Sequence, residues 1–321
     1  MPFSAGIVDA LDPARLRLLV EVERRGSISA AAEACRMSQP SATKQLKTLE
    51  AALGEKLVER NGRASRPTEA GRVVVGHATR VLDTLHGLRE ELEALRGAEI
   101  GTLALAASTT PGTYVLPAIL RCFSERHPGV EVDIAIGAST WVAERVAKRE
   151  YALGIAGEVD LPDGVRAEPF LDDELVGIAA PGRLRLRRGK ASVAELSRWT
   201  LLVREAGSST RTVADRYLAR AGYRPANRWD LDSNEAIKRS VQAGLGVGFV
   251  SKLVVADEIA RGELVGFGVE GGRSMRRSIY LLRPDDRDPT PSERAFVATL
   301  SDCCAVSVPG CSVDGTSPAA R

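Results

Sequence analysis

A chain of 321 residues, 44% hydrophobic and 27% charged with few aromatics, suits two globular domains, each long enough to bury a core. Its formal net charge of +2 neither requires nor excludes a polyanionic partner. No run of about 18 apolar residues marks a transmembrane helix, and Met1 to Asp12 lacks the basic-then-apolar pattern of a signal peptide, so a cytoplasmic protein with no membrane partner is expected.

In chain order, Asp12 is placed to cap a helix that opens on Pro13, whose missing N–H needs no partner there. Leu16, Leu19, Val20 and Val22 give this helix an apolar side, and Gly26 ends it. Ser27 caps a second, alanine-rich helix, Ile28 to Cys35. Ser38 caps a third, Gln39 to Leu53, with Leu46, Leu49 and Leu53 at helical spacing before Gly54. Two extended runs around Asn61-Gly62 then read as a hairpin carrying Arg60, Arg63 and Arg66. Thr68 opens a long helix to Arg96. Its Val74, Ala78, Val81, Leu85, Leu88, Leu92 and Leu95 alternate steps of four and three, a heptad seam that predicts a homodimer or homotetramer.

From Gly101 to Asp302 strand and helix patterns alternate. Strands are expected at Thr102–Ala107, Val130–Gly137, Leu153–Ala156, Leu175–Ala180, Thr200–Val203, Arg228–Leu231, Val247–Val250 and Arg277–Leu282. Helices such as Pro111–Arg126 and Asn234–Ala243 fall between them, which predicts an α/β domain on mainly parallel sheets. Residues 304–321, rich in Ser, Gly, Pro and Ala, read as a disordered tail.

The segment from Ser27 to Lys47 has helix-turn-helix geometry: small residues on the first helix, a three-residue turn Arg36-Met37-Ser38, then a helix with a polar face. Gln39 at the helix start suits base edges in a major groove, and Pro40 stiffens that turn. Ser38 and Ser41 share its surface, Thr43, Lys44 and Lys47 suit phosphates, and Arg60, Arg63 and Arg66 on the hairpin suit a flanking groove or backbone. Charge agrees: residues 36–66 hold seven Lys/Arg against three Asp/Glu, while 100–321 hold 29 against 28. The expected partner is double-stranded DNA.

The run GSISAAAEACRMSQPSATKQLKTLEAALGEKLVERNGRASRPTEAG resembles the N-terminal domain of LysR-type transcriptional regulators. The likeness rests on Ser38-Gln39-Pro40, Leu49-Glu50, Gly54, Leu57, Arg60 and Thr68-Glu69-Ala70-Gly71, with one departure at Cys35-Arg36-Met37 in the turn. It implies a winged helix-turn-helix domain over 10–67, a linker and dimerisation helix over 68–98, and an effector domain over 100–303. That domain would be two-lobed, similar to type II periplasmic binding proteins, with lobe I at about 100–173 and 276–303 and lobe II at about 174–275. "STTPGTYVLP", "REAGSSTR" and "SNEAIKRSVQAGLGVGFVS" look closest to the branch regulating carbon-fixation and sulfite-reductase operons. The resemblance also implies a transcription regulator with RNA polymerase as a partner and a small metabolite between its lobes.

The residues point to such a site independently. Ser108-Thr109-Thr110, Ser139-Thr140 and Ser208-Ser209-Thr210 each follow a strand and open a helix, where free N–H groups and hydroxyls favour an anion. Asn234 opens a further helix in the same manner. The competing reading of each loop is plain helix capping. Cys35, Cys122, Cys303, Cys304 and Cys311 form no CxxC pair, so neither a metal nor another cofactor is expected. An enzyme is the alternative class, but no nucleophile elbow, P-loop or His–carboxylate pair falls in the hydroxyl-rich loops.

Overall fold

A computed structural model of the chain describes residues 10–61, 64–95, 100–272 and 274–307. It separates into two compact units, residues 1–97 and 98–321.

In the first unit α1 spans Pro13–Arg25, α2 Ile28–Ala34, α3 Gln39–Leu53, β1 Val58–Asn61, β2 Ala64–Pro67 and α4 Glu69–Leu95. Asp12 accepts a 2.7 Å hydrogen bond from the Ala14 N–H, and Gly26 and Gly54 leave α1 and α3 in the left-handed region. Ser27 does not cap as expected: its side chain makes no bond to α2, which ends at Ala34. The chain leaves α2 through Arg36, at φ +55°, with the Met37 N–H on the Ala32 carbonyl. Ser38 does cap α3, accepting from the Ser41 N–H.

Leu16, Leu19 and Val22 of α1, Ala31 and Ala32 of α2, Ala42, Leu46 and Leu49 of α3, and Val75 and Ala78 of α4 form one core. Small residues on α2 allow that close crossing. Two anchors fix the path of the chain beyond α3. The Glu50 carboxylate accepts from the Leu57 and Val58 N–H groups, at 2.8 and 3.2 Å. Thr68 donates to the Lys56 carbonyl and accepts from the Gly71 N–H. Gly71 must be glycine, because a Cβ there would lie 2.0 Å from the Leu57 carbonyl oxygen. In the hairpin Asn61 pairs with Ala64, so Asn61 belongs to β1; Gly62 and Arg63 lie outside the described residues.

The second unit runs β3 (Gly101–Ser108), α5 (Thr109–Tyr114), α6 (Leu116–Arg126), β4 (Val130–Gly137), α7 (Ser139–Ala147), β5 (Leu153–Gly157), β6 (Val165–Ala179), β7 (Leu186–Arg187), β8 (Lys190–Ala191), α8 (Val193–Leu196), β9 (Leu201–Arg204), α9 (Ser209–Arg220), β10 (Arg228–Leu231), α10 (Asn234–Gln242), β11 (Val247–Ser251), α11 (Lys252–Ala260), β12 (Val265–Val269), β13 (Met275–Pro284) and α12 (Pro291–Ser307). The helix expected over Pro111–Arg126 breaks at Val115, since Pro117 has no N–H to continue the ladder.

The main sheet follows the order β10-β9-β11-β6-β13-β5-β3-β4. β3 pairs parallel with β4 and β5, and β9 with β10 and β11. β6 and β13, however, run antiparallel to each other and to β5, β11 and β12. The expected mainly parallel sheet is therefore mixed: the chain crosses between two half-domains on β6 and returns on β13. β6 starts at Val165 rather than Leu175. Its Pro169 is accommodated where the β6–β13 register shifts between Ile279 and Tyr280, a bulge that spares the missing donor.

Each half has its own core. Leu103, Leu105, Ile119, Phe123, Ile155, Phe296 and Leu300 fill the first. In the second, Leu201 and Val203 of β9 face one cluster with Val213, Phe249 and Phe267, while Leu202 faces another with Ile237 and Val241. Phe296, Leu300 and Cys303 anchor α12, which extends the helix through residues 304–307, where a tail was expected; 308–321 lie outside the described residues. No helix among the described residues is long and apolar enough to cross a membrane.

Candidate functional site

In the first unit, α3 is held by Ala42, Leu46 and Leu49 and by Gln45, which accepts a 2.7 Å hydrogen bond from Arg15. The opposite side presents Ser38, Gln39, Pro40, Ser41, Lys44 and Lys47 to solvent, with Thr43 half-buried. Arg66 is exposed on β2. Among the described residues Lys44, Lys47 and Arg66 carry no ion pair. The Arg60 side chain and all of Arg63 lie outside the described residues.

The α4 seam divides into two parts. Ala78 is buried and Val74 half-buried against the unit's own core. Val81, Leu85, Leu88 and Leu92 remain 41–52% exposed. The Leu95 side chain lies outside the described residues.

In the second unit, the C-terminal ends of β3, β4 and β9 open α5, α7 and α9 around one crevice of about 200 Å³, counting the part open to solvent. Ser108, Thr109, Thr110, Ser139, Ser208, Ser209 and Thr210 line it, together with Arg204 and Arg277. Ser108 and Ser208 stand at the N-caps of α5 and α9 but make no side-chain cap bond, so capping does not consume their hydroxyls.

The two arginines are the polar residues that sequence reasoning missed. Arg204 ends β9; its guanidinium donates to both Glu205 carboxylate oxygens at 2.7 Å, to Asn234 Oδ1 at 2.7 Å and to Thr109 Oγ1 at 3.1 Å. Arg277 on β13 donates to Asp173 on β6, at 2.8 Å from Nε, and to Ser209 Oγ and Thr210 Oγ1 at 2.6 and 3.0 Å. Asp173 also accepts from Ser251 at 2.6 Å. Both arginine side chains are 2% exposed. An arginine closing an apolar strand just before the Gly207-Ser208 loop was the available signal for the first; for Arg277, buried mid-strand, the sequence held none.

Two expected site residues play other parts. Asn234 does not line the crevice but spans it, donating to Thr110 Oγ1 while accepting from Arg204. Thr140 packs on Gly207, where a Cβ would fall 2.3 Å from its hydroxyl, and its backbone N–H donates to the Gly207 carbonyl. Together with an Arg216–Glu158 ion pair at 2.6 Å, these bonds hold the halves closed. On α10, burial pulls the Lys238 ammonium down, but hydrogen bonds to Glu258 and Glu235 outweigh it and leave its pKa raised.

Residues 13–72 match the family model "Bacterial regulatory helix-turn-helix protein, lysR family", and 96–305 match "LysR substrate binding domain". The RuBisCO operon transcriptional regulator of Allochromatium vinosum is 31% identical across 88% of this chain and 93% of its own length. Among solved structures, a full-length OxyR variant from Pseudomonas aeruginosa superposes with a TM-score of 0.74 at 22% identity, covering 96% of this chain and 99% of its own. The CcmR regulatory domain of Synechocystis PCC6803, in complex with 2-PG, matches with a TM-score of 0.58 at 27% identity, over 63% of this chain and 96% of its own.

Proposed function

The chain belongs to the LysR family of bacterial helix-turn-helix transcription regulators, and on that premise we propose how its two units divide the work. As in its relatives, the first unit binds DNA and the second is an effector domain; the chain is a regulator, not an enzyme. The α3 face lies in the major groove, Gln39 reading a base edge and Lys44 and Lys47 neutralising phosphates. The exposed part of the α4 seam packs against a second copy, forming the dimer that places two such faces on half-sites and, on the promoter, meets RNA polymerase in the cytoplasm.

The effector is a small oxyanion. The observation that carries this reading is the convergence of two buried arginines and a ring of hydroxyls on one crevice. Such groups are costly to bury without an anion or an internal substitute, and here Glu205 and Asp173 act as substitutes. The 2-PG complex of the Synechocystis relative is consistent with an anion of this kind.

Thermal unfolding in sulfate, phosphate and 2-PG tests the assignment. Saturation to 100 times Kd stabilises the native state by about 2.7 kcal/mol, a rise expected in the wild type and absent in Arg204→Gln. Equal shifts in both proteins would remove the crevice as the anion site.

A further inference from the structure

Near the start of the second half-domain, β7 and β8 form a short antiparallel ribbon that the crevice does not use. Arg187 pairs with Lys190 across the turn Arg188-Gly189, and β8 joins the sheet by pairing with β12. Along Arg183-Leu184-Arg185-Leu186-Arg187 the alternation is strict: Leu184 and Leu186 pack on the core beneath, and the arginines point to solvent. Arg183, Arg185, Arg187, Arg188 and Lys190 are all exposed. Five cations thus share one small, anchored element.

Among the described residues none of the five has an ion pair, whereas Arg211, Arg216, Arg228, Arg239 and Arg261 of the same half each contact a carboxylate. Arg220, Arg224 and Arg276 are likewise exposed without one, but they are spread over α9, the loop after it and β13, so the gathering of five on one segment is what distinguishes the ribbon. Glu195, which accepts from the Arg185 backbone N–H, is engaged by Arg198. Arg188 also sits at φ +50°, a left-handed conformation that L side chains rarely adopt. Like charges held this close repel each other, and a partner with several closely spaced negative charges relieves that repulsion.

We infer that this ribbon is a second, sequence-independent contact for duplex DNA, taking the sugar-phosphate backbone. The inference rests on the DNA-binding reading of the chain. That reading supplies the polyanion: a duplex presents closely spaced phosphates, and individually weak phosphate contacts to several cations on one element add together.

The test uses the full chain and a long mixed-sequence duplex, with affinity measured across a salt series. The triple variant Arg185→Gln, Arg187→Gln, Arg188→Gln is expected to bind more weakly, with the log–log salt slope shallower by about 0.9 per phosphate contact removed. The single variant Lys190→Gln, which leaves the turn untouched, is expected to lose about 0.9. Wild-type slope and affinity in both variants would overturn the inference and leave the ribbon to an acidic protein surface. A wild-type chain without affinity for any duplex would instead refute the DNA-binding reading.

Discussion

The two units carry their polar chemistry in opposite states. On α3, Gln39, Ser41, Lys44 and Lys47 stand exposed, and the two lysines are unpaired among the described residues. In the crevice of the second unit, Arg204 and Arg277 are buried and nearly every donor they have is engaged. On the function proposed above, the difference comes from the ligand. A duplex would bring its own dense charge to a surface that water solvates equally well in its absence, so nothing in the protein need stand in for it. A small anion would enter a confined space whose groups must be satisfied before it arrives, and its binding would exchange internal partners for external ones. Substitutions on α3 should therefore cost binding and leave folding alone, while substitutions around the crevice should cost both.

The sharpest way to break that contrast is Asp173→Ala. It leaves the Arg277 guanidinium buried without its carboxylate, a loss of about 3–5 kcal/mol. All three tryptophans, Trp141, Trp199 and Trp229, lie in the second unit, so denaturant unfolding followed by their fluorescence reports that unit alone. A change below about 1 kcal/mol, the scale of an exposed pair, would mean that the crevice is no more committed internally than the α3 surface. Leu85→Lys comes next. It removes an apolar contact of about 1.5–3 kcal/mol from each helix and puts like charges in the seam. Monomers are expected by sedimentation; an intact dimer would place the interface elsewhere.

Legibility in the sequence divides along the same line. The first unit was legible because its signals are local: Asp12 before Pro13, Ser38 before Gln39-Pro40, and glycines after two helices are each read within a few residues and recur in the structure. The hydroxyl loops at Ser108 and Ser208 were legible for the same reason. The arginines behind them were not. Arg277 meets Ser209 across 68 residues and Asp173 across 104, and nothing in a strand pattern says which distant residue will face it. Asn234 and Thr140 carried the right chemistry, but their use in closing the halves depends on geometry between loops. The first part of β6 was hidden by Pro169, accommodated at a bulge, and by the charged residues Asp172, Asp173 and Glu174, of which Asp172 is exposed, Glu174 half-buried and Asp173 buried against Arg277 of the partner strand. Ala78 fits the heptad and packs in the unit's own core, because a repeat fixes a face without naming its partner.

The finest distinction lies within the α3 surface itself. Gln39→Ala should cost about 1–3 kcal/mol at a single base pair, relaxing sequence choice there while hardly changing affinity for mixed sequence. Lys44→Ala should do the reverse, weakening binding to every duplex alike and lowering the salt slope by about one, the release of a single counterion. Neither should move the unfolding transition, since both side chains are solvated and Ala42, Leu46 and Leu49 hold the helix from the other side. The pair is informative because the two positions share one helix and differ only in what they would meet. If both variants lost specific and mixed-sequence affinity in equal proportion, Gln39 would be another backbone contact, and sequence reading would have to be sought elsewhere on α3, Ser41 first among the exposed candidates.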